Sequence, residues 1–174
     1  MSTSPRDATP ATVLRRVTVD PPKVLNEVSR VARYSTWALS LVGLAISSYL
    51  LVIHFQPQLL VCSGSGVVDC AAVTTSAQSY FLGIPVAALG VAQYVAMVII
   101  NSPWGWRSSW RWLAIARLGL GVIGMGFVLW LISAELLIID HICLWCSGVH
   151  LVTFALFVIL VRVCPAQVGW TRKE

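Results

Sequence analysis

Five cysteines carry most of the chemistry available to this chain. Cys143 and Cys146 form a Cys-Leu-Trp-Cys motif at the head of an apolar run that continues from Leu151 to Val161. Two thiols three residues apart on a helix share nearly one face and can close a disulfide. A helix N-terminus also favours the thiolate over the thiol. These are the conditions of a working dithiol, set against the plainer reading of two small apolar residues buried in a helix. A second pair, Cys62 and Cys70, brackets Ser63-Gly64-Ser65-Gly66, a flexible link that lets the two sulfurs approach and separate. Cys164 stands apart from both pairs.

The elements that position these thiols follow from composition. Of 174 residues, 57% are hydrophobic and 11% charged, against about 25% charged in an average soluble domain. This is a membrane composition. Four runs, 37–55, 80–100, 113–138 and 142–161, are long enough to cross a hydrocarbon core of about 30 Å. The expectation is an all-α integral membrane protein, a bundle of four transmembrane helices, with an extracytoplasmic loop and a short cap helix from Ala71 to Ser76. The first run follows some 35 polar residues and is read as a retained helix, not a cleaved leader. Pro85 suits the first turn of the second span. In the third, Gly119, Gly121, Gly124 and Gly126 read as close helix packing.

Charge sets the orientation. Residues 1–35 carry Arg6, Arg15, Arg16, Lys23, Arg30 and Arg33 among four prolines and read as a cytoplasmic tail. The loop 56–79 has no Lys or Arg, whereas Arg107 and Arg111 separate the second and third spans and Arg162, Arg172 and Lys173 follow the fourth. The positive-inside rule then places both termini in the cytoplasm and Cys62, Cys70, Cys143 and Cys146 outside it, where disulfides persist. The domain 36–163 is followed by a cytoplasmic tail 164–174, with Cys164 a reduced bystander. The spaced basic residues fit membrane lipid and not nucleic acid. Arg117 and Glu135 lie near opposite ends of the third span and are expected to snorkel to the interfaces, which argues against a proton or ion pathway.

A dithiol at the rim of such a bundle is placed to reduce something dissolved in lipid, and quinones are lipid-soluble two-electron acceptors. Cys146, one turn deeper, is expected to meet the ring. Cys143, nearer water, is expected to exchange with the loop pair. Ser76 and His150, the latter four residues beyond Cys146 on the same helical face, could hold the ring carbonyls. His54 and His141 read as interfacial. A four-cysteine zinc site is disfavoured, because seven residues between Cys62 and Cys70 exceed usual ligand spacing.

Cys62 and Cys70, Ser76 six beyond, Gly83-Ile84-Pro85 and Cys143-Leu144-Trp145-Cys146 together resemble the vitamin K epoxide reductase family over about 37–161. The resemblance implies four helices around a quinone of the menaquinone, ubiquinone or vitamin K type, with no metal. It implies roles for Cys146 as the quinone-facing thiol, Cys143 as its partner, Cys70 and Cys62 as the loop shuttle and Ser76 as a quinone-bonding serine. His150 falls where some members have a tyrosine. Many bacterial members carry a fused thioredoxin-like domain that is not seen here, so the expected partner is a thioredoxin-fold, DsbA-like oxidoreductase in trans. The expected function is disulfide formation in exported proteins at the bacterial cytoplasmic membrane. Quinone epoxide reduction and a non-catalytic scaffold with structural disulfides are the alternatives.

Overall fold

A computed structural model describes residues 28–62, 66–108 and 110–168. The N-terminal tail up to residue 27, the middle of the Ser-Gly link and residues 169–174 lie outside the described residues. The fold is all-α, as the composition indicates, with four main helices packed around one another.

Helix α1 runs Arg30–Phe55 and is capped by Ser29, whose hydroxyl accepts the Ala32 N–H. It starts earlier than the apolar run alone indicates, because this cap and not hydropathy sets the helix end. Its buried residues are Thr36, Ser40, Gly43, Ser47, Leu50 and Ile53. Their spacing of three and four keeps them on one face, and small side chains there let a neighbouring helix come close. At Gly43 a Cβ would overlap the Tyr94 ring. The buried hydroxyls satisfy themselves on the preceding turn, Thr36 donating to the Ala32 carbonyl and Ser40 to that of Thr36.

The run 80–100 is not one helix. It opens as a hairpin in which β1 (Tyr80–Phe81) pairs antiparallel with β2 (Ile84–Pro85), Tyr80 opposite Pro85. Leu82 and Gly83 at the turn have φ of 52° and 81°. Positive φ at both central residues matches the twist of a two-residue hairpin, which overrides the apolar character of the run. Helix α3 therefore spans only Val86–Ile100, with Pro85 as its cap instead of a member of its first turn. The cap helix is likewise shorter than expected: α2 is Cys70–Thr74 and a separate 3-10 turn follows at Ala77–Ser79.

Beyond α3, Ser102 caps a short helix α4 (Pro103–Arg107). Helix α5 (Arg111–Ala134) then continues into a π turn, Glu135–Ile139, that ends at Asp140 in the left-handed region, φ 59°. Helix α6 runs Leu144–Val168, so Cys164 is inside the last helix, buried, and not in a tail beyond it. Three stretches, Arg30–Phe55, Arg111–Ile139 and Leu144–Val168, are long and apolar enough to cross a membrane; α3 is shorter.

The two charges of the third span do not snorkel. Arg117 is 2% exposed. Its Nε and Nη2 donate to the Ile100 carbonyl at 3.1 and 2.6 Å, and its guanidinium lies 4.0 Å from the centre of the Trp106 ring. A free carbonyl at the end of α3 and an aromatic face together hold the cation inside, which offsets its loss of water. Glu135 is 6% exposed and also faces inward.

Candidate active site

Cys62 and Cys70 are joined by a disulfide, their Cα atoms 6.2 Å apart. Cys70 opens α2, and Asp69 caps that helix by accepting the Ala72 N–H at 2.9 Å. The strand just before this cap is stitched to the residues just before Cys143. Val68 forms a parallel bridge with Ile142, the Asp69 N–H donates to the Ile142 carbonyl at 3.2 Å, and the Ile142 N–H donates to that of Val67 at 2.9 Å. Two backbone segments far apart in sequence are thereby fixed edge to edge. Cys70 and Cys143 end up in one buried cluster with Leu50, Ile53 and Val73, bordered by Cys62 and Cys146.

Cys62, Cys70, Cys143 and Cys146 are thus brought together, but the burial of the last two is not in the order expected. Cys143 is fully buried and Cys146 only partly. Cys143 is packed in the interior with Cys70, Leu50, Ile53 and Val73, next to the Val68–Ile142 bridge, and does not face water. Cys143 and Cys146 are free thiols, and the Cys146 backbone N–H donates to the Cys143 sulfur at 3.3 Å. The Cys143 thiol lies below its ordinary value because the Cys146 thiol hydrogen-bonds to it, helped by the backbone N–H groups of Cys146 and Trp145. Burial and the charge of Glu135 oppose that shift.

The loop is also held from its other end. Trp145 donates its indole N–H to the Val61 carbonyl, and its ring lies 4.7 Å from that of Tyr49. The Tyr49 hydroxyl accepts the Val61 N–H at 2.9 Å and donates to the Leu59 carbonyl at 3.3 Å.

Below the cap, a cavity of about 610 Å³ lies among α1, α3, α5 and α6. Its walls are mostly apolar. Cys146, His150 and Glu135 face it, as do Thr74, Gln78 and Ser79 from the cap. Ser76 is not on its wall: the hydroxyl turns back to donate to the Val73 carbonyl at 2.8 Å, closing the end of α2. The next two polar residues, Gln78 and Ser79, occupy the place expected of it. His150 is buried, and among the described residues no hydrogen bond involves its ring. His54 also borders the cavity, its Nε2 3.0 Å from the Tyr80 hydroxyl. Deeper in, Gln93 donates from α3 to the Leu120 carbonyl of α5, and Tyr94 bonds Thr153 of α6, tying the three helices together. Among the described residues no three His, Cys, Asp or Glu side chains converge as a metal ion requires.

Sequence reasoning missed Glu135 and Tyr49. The signal for Glu135 is present, a lone carboxylate eight residues before Cys143 in an apolar segment, but nearness to a span end was read as access to water. Tyr49 carries no local signal, since its role depends on a contact across the bundle.

The arrangement is two cysteine pairs in contact, one beneath a cap and one on the wall of an apolar chamber. The sequence profile described as the vitamin K epoxide reductase family matches residues 35–161. No curated protein matches the chain.

Proposed function

The chain belongs to the vitamin K epoxide reductase family, and from that premise we propose that it reoxidises a thioredoxin-fold protein outside the cytoplasm and passes the electrons to a membrane quinone. Membership makes it a membrane oxidoreductase. The finer reading rests on one observation: Cys143 packs with the disulfide-bonded Cys70 on one side while its motif partner Cys146 faces the cavity on the other.

The cavity fits a quinone. Its volume lies within the range of small-molecule sites, and apolar walls with a few polar groups suit a flat ring with two carbonyls. When bound, the quinone accepts two electrons and two protons. The protein's residues do the rest. A carrier thiolate attacks Cys62, which is partly exposed, and frees Cys70. The carrier's second thiol then closes the carrier's own disulfide and frees Cys62. Cys70 attacks Cys143 of the oxidised Cys143–Cys146 pair, forming a Cys70–Cys143 mixed disulfide and releasing the Cys146 thiolate. Cys62 resolves that bond, which closes the loop pair again and frees Cys143. Cys146 stands ready to hand over electrons, and Cys143, whose thiolate is favoured by its hydrogen bonds, closes the disulfide. His150, whose ring makes no hydrogen bond among the described residues, is the donor available to a ring carbonyl.

Arg30 and Arg33 at the start of α1 and Arg107 and Arg111 around α4 support a cytoplasmic face opposite the cysteines. The bacterial cytoplasmic membrane, with both termini inside, is the location this reading requires.

The test is purified protein in lipid nanodiscs with a reduced thioredoxin-fold carrier and a short-chain quinone. The quinone absorbance should fall in step with oxidation of the carrier, and Cys146→Ala should abolish the change. Carrier oxidation without quinone loss would sink the quinone half of the reading.

A further inference from the structure

Glu135 is the group for which neither the fold nor the thiol relay has a use so far. It is 6% exposed, opens the π turn that ends α5, and shares the cavity wall with Cys146 and His150. The same π turn packs through Ile139 against the cluster that holds Cys143 and is bordered by Cys146. Among the described residues no Lys or Arg borders the cavity. The ionisable groups around it are Cys143, Cys146 and His150 from the α6 side, Tyr94 on α3 and His54 on α1; Cys70 on α2 is held in its disulfide. A buried carboxylate without a cation is costly to keep, and an ionisable group inside a membrane protein marks function by default. A π turn displaces the residues it contains from the regular helical register and recurs at functional sites. Here it carries Glu135 to the thiols.

Closing the Cys143–Cys146 disulfide breaks two S–H bonds in a largely buried, mostly apolar cluster. The two protons need an acceptor that can reach both sulfurs and the chamber. We propose that Glu135 is that acceptor, taking the thiol protons one at a time and releasing each into the cavity. This rests on reading the cavity as the quinone site. The balance closes. Two S–H bonds break and one S–S bond forms, two electrons and two protons pass to the quinone, and Glu135 ends as the carboxylate it began. Like charges in so apolar a site repel, so loss of a proton by one thiol is coupled to its gain by the carboxylate.

The test compares Glu135→Gln, Glu135→Asp and the parent protein, fully reduced in nanodiscs, by two readouts. The first is alkylation of Cys143 and Cys146 across pH without quinone, read by mass spectrometry. The second is quinone reduction across the same pH range. Removing the carboxylate removes a charge that disfavours the Cys143 thiolate, so Glu135→Gln should be alkylated several-fold faster near neutral pH. Quinone reduction should slow on the order of a hundred-fold, with the deficit shrinking as pH rises and Glu135→Asp restoring most of the rate. Equal slowing of both readouts at every pH means structural support and overturns the proposal, as does unchanged quinone reduction. If Glu135→Gln does not fold, infrared difference spectra of ¹³C-glutamate-labelled parent protein decide. The other glutamates, Glu27 and Glu174, lie in the terminal segments. A labelled carboxyl band should shift when the pair is oxidised, and an unchanged band overturns the proposal. Alkylation and infrared readouts need no quinone, so a parent protein inert toward quinone would fail the earlier reading without deciding this one.

Discussion

Trp145 donates its indole N–H to the Val61 carbonyl across 2.9 Å, so the middle of the Cys143–Cys146 motif holds the backbone next to Cys62. The two redox pairs are therefore tied by a hydrogen bond as well as by contact. Trp145→Phe keeps the stacking on Tyr49 and deletes only the donor. We predict a loss of about 1 kcal/mol in stability, with faster amide exchange at 58–62 and little change at α2, both measurable by hydrogen exchange. Unchanged exchange at 58–62 counts against the tie.

His150 should matter to the quinone and not to the fold. As its ring bonds to nothing in the described protein, His150→Ala should raise the quinone KM by about five- to a hundred-fold, the equivalent of 1–3 kcal/mol for one lost hydrogen bond. Ser76→Ala should leave KM unchanged, since its hydroxyl closes the end of α2. Titration with a short-chain quinone distinguishes the two; an equal effect of both variants would restore Ser76 to the ring.

The order of thiol exchange is open to trapping. In Cys70→Ala the lone Cys62 thiolate attacks the disulfide of the oxidised carrier, releasing the carrier's second thiol, and with no loop partner to displace the carrier a complex through Cys62 should accumulate, seen on a non-reducing gel and lost on reduction. Cys62→Ala should give none. A complex formed through Cys70 when Cys62 is absent reverses the assignment of outer and inner loop thiols.

Cys143 gives a pH signature. Its thiol lies below the ordinary 9.0 in the folded protein because of the Cys146 thiol and neighbouring N–H groups. A group with a depressed folded value adds stability that is complete above its unfolded value and fades as pH falls through the folded one. The melting advantage of the reduced protein over Cys143→Ala should therefore grow as pH rises toward about 9. Thermal melts in reductant at a series of pH values below about 9 check this; an advantage that shrinks over that range contradicts it.

Arg117 is predicted to be structural. Arg117→Leu strands the Ile100 carbonyl and leaves Trp106 without its cation, at a cost of about 2–4 kcal/mol. Quinone reduction by the surviving folded fraction should be normal. A variant as stable as the parent would show that the buried guanidinium is tolerated and not needed.

The thiols and the helical class could be read from the chain because each announces itself locally: cysteine spacing, apolar run length and the side of the membrane that lacks Lys and Arg. Helix ends were less legible. Leu82-Gly83 breaks an apolar run by backbone conformation, which hydropathy does not register. Ser29 extends α1 into residues that look like tail. Burial was least legible of all. Whether Arg117 and Glu135 face water depends on Ile100, Trp106 and Cys143, partners brought to them only by the fold. The same holds for Cys143, buried among Leu50, Ile53, Cys70 and Val73 beside a Val68–Ile142 pairing that has no sequence signature.

Helix α3 holds 15 residues, a rise of about 22 Å, against a hydrocarbon thickness of about 30 Å. Its flank of the protein is thus mismatched to an ordinary bilayer. The hairpin ahead of it makes up part of the shortfall, with Leu82 88% exposed and Ile84 and Phe81 also open. A bilayer of ordinary thickness meeting this flank would have to thin or deform beside it. Because α3 is also a wall of the chamber, that thinning would fall next to the chamber and not on the far side of the bundle.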